Sequence, residues 1–94
     1  MIHFEYLTQA DHHQITISGH AGSAPKGQDL VCAGASTLLY TLIQALEDRD
    51  IVDDLILDDG YANVKWHGYG LIGSVIYSGL KLLEKNYPDF VKEI

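Results

Sequence analysis

Apolar and polar residues alternate along the first eighteen positions with the two-residue period of half-buried β-strands. The alternating apolar positions are Ile2, Phe4 and Tyr6 in a first segment and Ile15 and Ile17 in a second. A polar turn over 10–13 separates the segments. The pattern therefore predicts a hairpin whose second strand, 14–18, ends just before His20.

The period then changes to that of a helix. Apolar residues recur at helical spacing at Leu30, Val31, Leu38, Leu39, Leu42, Ile43 and Leu46. Asp29 is a favoured N-cap residue, so we expect the helix to begin at Leu30. Cys32 would then occupy the first turn, where unsatisfied amides and the positive end of the helix dipole favour a thiolate. The Cys32 amide would also be free to bind an oxyanion.

The second half of the chain predicts another hairpin and another helix. Strands over 51–57 and 61–66 flank the strong turn signal Asp58-Asp59-Gly60. The positions that share one face of the second strand are Ala62, Val64 and Trp66, as expected for a sheet covered on one side.

The predicted second helix runs from Leu71 to about Asn86, and a short last strand covers 90–94. Gly73 and Gly79 inside this helix indicate close packing against a helix, the sheet or a partner subunit. The resulting order, ββαββαβ, predicts an α+β fold, a two-layer sandwich of a β-sheet and two helices.

Composition bounds the function. Ninety-four residues, 47% of them hydrophobic, suit a single domain over 1–94. One cysteine forms no internal disulfide, and neither a signal peptide nor an unbroken apolar run of membrane length is present, so we expect a soluble cytoplasmic protein without a membrane partner. A net charge of −7 disfavours nucleic acid as a partner and makes a structural RNA-binding protein the weakest interpretation.

Acidic residues are concentrated between positions 47 and 59, where seven of the thirteen lie. The cluster is interpreted either as a solvated face or as a field that steers a basic partner.

The histidines other than His20 are His3, His12, His13 and His67. Their spacing matches no zinc site, so we predict neither a metal nor another cofactor, although His67 ends a strand and could approach the site.

The one cysteine, Cys32, is open to two interpretations. In general a lone cysteine in an apolar stretch is more often a small buried hydrophobe than a nucleophile. A strand end and a helix start can meet, however, which would bring His20 close enough to act as a general base for the thiol.

The segment Gly19-His20-Ala21, followed by a Gly/Ser/Pro loop, by the run from Gly27 to Ala33 and by Ser36, resembles the signature of the Prp family, the bacterial ribosomal-processing cysteine proteases. Length and element order are similar to the family as well, but the specific match lies in residues 19–36. The departures are Leu30, where the family usually has isoleucine, and Gly34 and Ala35, where bulkier residues are usual; they bear on helix packing.

The resemblance implies a cysteine endopeptidase that removes the short N-terminal extension of a large-subunit ribosomal protein, the one that reaches the peptidyl-transferase centre, during ribosome maturation. It implies that Cys32 is the nucleophile, that His20 is the base and later the acid, and that the protein is a homodimer. The partner would be the ribosomal protein precursor.

Supporting roles are less determined. Asp29 could orient His20, bind substrate or cap the helix. Ser36 lies one turn after Cys32 and is either a hydrogen-bond donor near the site or a satisfied helix serine, and Gly19 is a further supporting candidate. The loop over 21–28 is predicted to be mobile and to order when substrate binds, or else to be an ordinary connection.

A second function class stays open at this point. The chain could be a noncatalytic α+β dimeric protein-binding module in which Cys32 is a core residue. Exposure of the thiol separates the two, because a nucleophile must reach its reagent and a core cysteine reacts only on unfolding.

Overall fold

A computed structural model describes residues 1–20 and 26–94, with side chains for all of these except 26–29. The elements, in chain order, are β1 (Ile2–Gln9), β2 (His12–Ser18), α1 (Lys26–Glu47), β3 (Val52–Asp58), β4 (Tyr61–His67), α2 (Gly70–Asn86) and β5 (Val91–Glu93). The predicted order ββαββαβ and the α+β fold are confirmed.

The strands form one five-stranded sheet in the order β3-β4-β2-β1-β5. All neighbours are antiparallel except β5, which runs parallel to β1. In the β2–β4 pair Ser18 lies opposite Tyr61 at one end and His12 opposite His67 at the other. The chain that leaves β2 toward His20 therefore passes directly beside the β3–β4 turn.

The core lies between the sheet and the two helices. It contains Phe4, Ile15, Val64 and Trp66 from the strands, Val31, Leu42 and Leu46 from α1, and Ile76 and Leu80 from α2. The predicted inward face of β4, Ala62, Val64 and Trp66, is buried as expected. Residues Leu30–Glu47 are long and apolar enough to cross a membrane, but a core helix meets the same criterion, and this one buries an apolar face in the core.

The two glycines of α2 mark close approaches, as predicted. A methyl group on Gly73 would lie 2.7 Å from Cζ2 of Trp66, so this glycine allows α2 to approach the sheet. A methyl group on Gly79 would lie 2.6 Å from Cδ2 of Leu38, so this one allows α2 to approach α1. The described contacts are therefore with the sheet and with the other helix.

The start of α1 differs from the prediction. The helix begins at Lys26 rather than Leu30, so Asp29 lies inside it and is not its N-cap. A glycine inside a helix costs only about 1 kcal/mol, and Gly27 does not prevent this extra turn. Residues 26–28 of the predicted loop are thus helical, while its residues 21–25, and with them the predicted mobility, lie outside the described part.

Candidate active site

A cavity of about 590 Å³ opens at the end of the sheet where β2 and β3 finish and β4 begins. Its lining includes His20, Cys32, Ser36, Gly19, Asp59 and Gly60, with apolar walls that include Leu39 and Leu57. We call this end of the sheet the site end. The residues proposed from sequence to be nucleophile and base thus line one cavity, although they come from different elements.

Cys32 reaches the cavity from α1. The residue is half-buried, and its side chain packs in part against the core while it also lines the cavity. This position differs from that of a fully enclosed core cysteine, because a reagent can enter from the cavity. Ser36 lies one helical turn further on and lines the same cavity, as predicted from the spacing.

The expected position of Cys32 in the first turn of the helix is wrong. Cys32 follows Lys26, the first residue of α1, by six positions. Its amide therefore lies beyond the four unsatisfied amides of the helix start and bonds within the helix to the Gln28 carbonyl. The Cys32 amide is thus not a free oxyanion donor, and the helix terminus is too far along the chain to act on the thiol as expected.

His20 is positioned by backbone contacts on two sides. The Gly19 amide donates a hydrogen bond to the Gly60 carbonyl at 2.8 Å, which ties the end of β2 to the β3–β4 turn. The Met1 amine donates to the His20 carbonyl at 2.6 Å. The imidazole itself remains 62% exposed, and its Nε2 lies 3.8 Å from Oδ1 of Asp59. The ring is therefore held near the cavity and is open to substrate.

The thiol and the imidazole share the cavity without direct pairing. Among the residues that the structure describes, no hydrogen bond joins the Cys32 thiol to the His20 ring. Catalytic hydrogen bonds often become short only when substrate is bound, so this separation is compatible with a nucleophile and its base.

His67 and most of the acidic cluster lie outside this cavity. His67 lies at the opposite end of the sheet, where its Nδ1 is 2.7 Å from Oδ1 of Asp53. Only Asp58 and Asp59 of the acidic cluster line the cavity. The side chain of Asp29 lies outside the described residues. Within residues 1–20 and 26–94, no group of three or more His, Cys, Asp or Glu side chains is arranged to hold a metal ion.

Sequence reasoning missed the contact between His20 and the β3–β4 turn. The Asp58-Asp59-Gly60 signal was interpreted only as a turn, and it forms one: Gly60 has φ of 71°. Which residues lie beside that turn depends on the pairing of β2 with β4, which brings together residues from Ser18 and Tyr61, 43 positions apart, to His12 and His67, 55 positions apart. No local pattern in the sequence records this pairing.

Comparisons with known proteins agree with the family resemblance seen in the sequence. A family model described as Cysteine protease Prp matches residues 1–92. The Ribosomal processing cysteine protease Prp of Mycoplasma pneumoniae is 34% identical over 84 residues, which cover 85% of this chain and 84% of that protein.

Solved structures share the fold over the full chain. The crystal structure of SMU.848 from Streptococcus mutans matches with a TM-score of 0.80 and 30% identity, covering 99% of this chain and 91% of that chain. The essential ribosomal processing protease Prp from S. aureus, in complex with a substrate peptide, matches with a TM-score of 0.83 and 22% identity over 100% of this chain and 98% of that one. At that identity the S. aureus structure shows the fold alone.

Proposed function

Because the chain belongs to the Prp family of cysteine proteases, we propose that it processes a ribosomal protein by removing the short N-terminal extension of the large-subunit protein that reaches the peptidyl-transferase centre. The protein is a cysteine protease, which decides against the noncatalytic binding module. The substrate class is supported by the M. pneumoniae relative, which is named for ribosomal processing, and by the S. aureus protease, which binds a substrate peptide.

The observation that carries the assignment of residues is the shared cavity. The only cysteine of the chain and the histidine predicted to serve it line one cavity of about 590 Å³. The cavity is large enough for several atoms of an extended peptide on either side of a scissile bond. Its apolar walls and exposed imidazole offer both a surface for side chains and a group that moves protons.

The proposed mechanism uses these two groups in sequence. His20 accepts the proton of the Cys32 thiol, and the sulfur attacks the carbonyl carbon of the scissile bond. The C–N bond then breaks, and His20 returns its proton to the departing amine. Water, deprotonated by His20, finally attacks the thioester carbonyl; the C–S bond breaks, the second product leaves with a new carboxyl group, and His20 returns the proton to the sulfur.

Supporting roles remain proposals. Ser36 lines the cavity one turn from Cys32 and is proposed to donate a hydrogen bond near the reacting carbonyl. Gly19 is proposed to hold His20 in place through its bond to Gly60. Asp29 keeps its proposed role in orienting His20 or binding substrate, but no longer a capping role, because α1 begins before it.

The homodimer is also proposed on the family resemblance, and the location and the excluded partners are proposed on composition and net charge. We expect a homodimer in the cytoplasm, with neither nucleic acid nor membrane as a partner. Sedimentation equilibrium of the purified protein tests the first point, and fractionation of cells tests the second.

The decisive experiment incubates the purified protein with an N-terminally extended form of the ribosomal protein and measures product mass. Loss of one defined N-terminal peptide is expected from the wild type and not from Cys32→Ala or His20→Ala. Circular dichroism of each variant verifies folding. Intact substrate with a folded wild-type enzyme would contradict the proposed substrate, and cleavage by either variant would contradict the assigned residues.

A further inference from the structure

The turn between β3 and β4 touches the proposed catalytic histidine. Gly60 lies against the imidazole so closely that a methyl group on it would be 2.5 Å from Nε2 and 3.1 Å from both Cδ2 and Cε1. The Gly60 carbonyl accepts the Gly19 amide, and Asp59 places a carboxylate oxygen 3.8 Å from Nε2. Gly60 and Asp59 of one turn therefore both lie beside the His20 ring, and the backbone bond to Gly19 ties the residue before His20 to the same turn.

We propose that this turn is part of the active site, with Gly60 and Asp59 acting as positioning residues for His20. The inference rests on the proposed role of His20 as base and acid. Both contacts lie on the Nε2 side of the ring, so Nδ1 is the nitrogen left for the thiol. The Asp59 carboxylate favours the tautomer with the proton on Nε2, in which Nδ1 can accept a proton.

Gly60 acts by leaving space. Its φ of 71° already favours glycine, and a side chain would also push the imidazole away from the turn. Asp59 acts more weakly. Its pair with Nε2 is longer than a hydrogen bond and the carboxylate is 96% exposed, so water screens the attraction.

The opposite end of the sheet, which we call the far end, supplies matched controls. Gly68 has φ of 76°, but a methyl group there would meet nothing closer than Oδ2 of Asp11 at 3.9 Å. Gly68→Ala thus carries the backbone strain of Gly60→Ala without the clash. Asp11 places Oδ1 4.0 Å from Nε2 of His13, so Asp11→Asn removes a comparable pair away from the cavity.

The test measures two properties of each variant and compares them with the wild type. They are the rate of Cys32 alkylation by iodoacetamide and the kcat and KM for peptide cleavage. In Gly60→Ala we expect kcat and the alkylation rate to fall at least about tenfold, part of what general acid–base catalysis supplies. In Asp59→Asn we expect a roughly two- to fivefold fall, with partial rescue in Asp59→Glu. KM should change little in either variant, and Gly68→Ala and Asp11→Asn should retain wild-type rates.

A double-mutant cycle isolates the route through His20. In a His20→Ala background, Gly60→Ala and Asp59→Asn should not slow alkylation further, because the ring they position is absent. A further fall there, or wild-type rates in Asp59→Asn and in folded Gly60→Ala, would overturn the proposal. If Gly60→Ala does not fold, Asp59→Asn decides alone. Full cleavage by His20→Ala itself would instead overturn the assignment of His20 as base and acid, and intact substrate with the folded wild type would overturn the proposed function.

Discussion

The two ends of the sheet carry similar groups and use them differently. At the site end His20 lies 3.8 Å from Asp59, and at the far end His13 lies 4.0 Å from Asp11. A glycine with positive φ sits beside each pair, Gly60 at 71° and Gly68 at 76°. Each end also has a surface cavity of about 590 Å³. The histidine–aspartate distance, the type of partner and the cavity volume are therefore similar at the two ends.

Access and a neighbouring thiol distinguish them. The His20 side chain is 62% exposed and shares its cavity with Cys32. His13 is 8% exposed and packs against Trp66, with ring centroids 5.4 Å apart. A histidine next to a carboxylate is therefore not in itself a catalytic sign. The His13 ring packs inside the core beside Trp66, whereas the His20 ring is open to a cavity that a thiol also lines.

The largest expected effect comes from removing each histidine in turn. His20→Ala should lower the rate of peptide cleavage by roughly 10²–10⁴-fold, the range that general acid–base catalysis contributes, with little change in stability. His13→Ala should leave kcat nearly unchanged and lower the free energy of unfolding by about 1–3 kcal/mol, because it leaves a cavity beside Trp66. Cleavage kinetics and urea unfolding of both variants measure this. An inactive, stable His13→Ala would break the comparison.

Glycine-to-alanine variants in the two helices should change stability without changing activity. At Gly73 it would lie 2.7 Å from Cζ2 of Trp66 and 2.8 Å from the Tyr6 hydroxyl oxygen, both on rigid rings of the far end. We expect Gly73→Ala to lower the free energy of unfolding by about 1–3 kcal/mol and to preserve kcat. Thermal and urea denaturation, compared with cleavage rates, measure both quantities.

The matched variant is Gly34→Ala in α1. Its methyl group would lie 3.1 Å from Cδ2 of Leu83, the movable end of a flexible side chain. The gain in helix propensity, up to about 1 kcal/mol, offsets this contact, so we expect no comparable loss of stability. Equal destabilisation by the two variants would show that the far end is no more tightly packed than the pair of helices.

Much of this architecture was predictable because it follows from local patterns. Alternation identified the strands, the Asp-Gly signal located the second hairpin, and helical spacing located both helices. The start of α1 was misplaced by four residues because Asp29 and Gly27 are typical of a helix boundary, although neither prevents a helix. Asn63, on the outward face of β4, is also 8% exposed, which alternation does not predict.

The site was predictable only in part. His20 and Cys32 were found through a motif confined to residues 19–36, and the structure places both in one cavity. The Asp59–Gly60 contact with His20 was not predictable, because it depends on strands paired across the sheet. The same long-range pairing places His67 at the far end, bound to Asp53, rather than near the site as its strand-end position allowed.

Carboxylates along the β5 edge add a third case, in which charged groups pair with one another outside the cavity. Lys81 Nζ lies 2.7 Å from Glu84 and 3.0 Å from Glu93. The Glu93 amide and then Lys81 hold the pKa of Glu84 below its ordinary 4.5. The Tyr77 hydroxyl and then Lys81 lower the pKa of Glu93 in the same way.

This network predicts a loss of stability in acid. A carboxyl group whose pKa is lower in the folded state contributes stability that is present above pH 4.5 and is lost as pH falls through the folded pKa. The urea midpoint of the wild type should therefore fall between pH 6 and pH 3. The fall should be larger than that of the double variant Glu84→Gln/Glu93→Gln. Glu47→Gln, outside the network, should match the wild type. An identical fall in all three proteins would contradict the assignment.

The smallest expected effect tests whether acidic residues outside the cavity attract a basic substrate through the electric field. The described residues extend 38 Å, and the Debye length grows from about 8 Å at physiological salt to about 30 Å at 0.01 M. Asp54 lies on β3 outside the cavity lining, so it can act on a basic substrate only at a distance. Asp54→Lys should lower kcat/KM by roughly twofold at low salt, leave kcat unchanged and have no effect at physiological salt. Asp54→Asn should give a smaller change in the same direction. Rates that do not depend on salt would show that the acidic residues outside the cavity are a solvated surface, and that the site end acts on its substrate by contact alone.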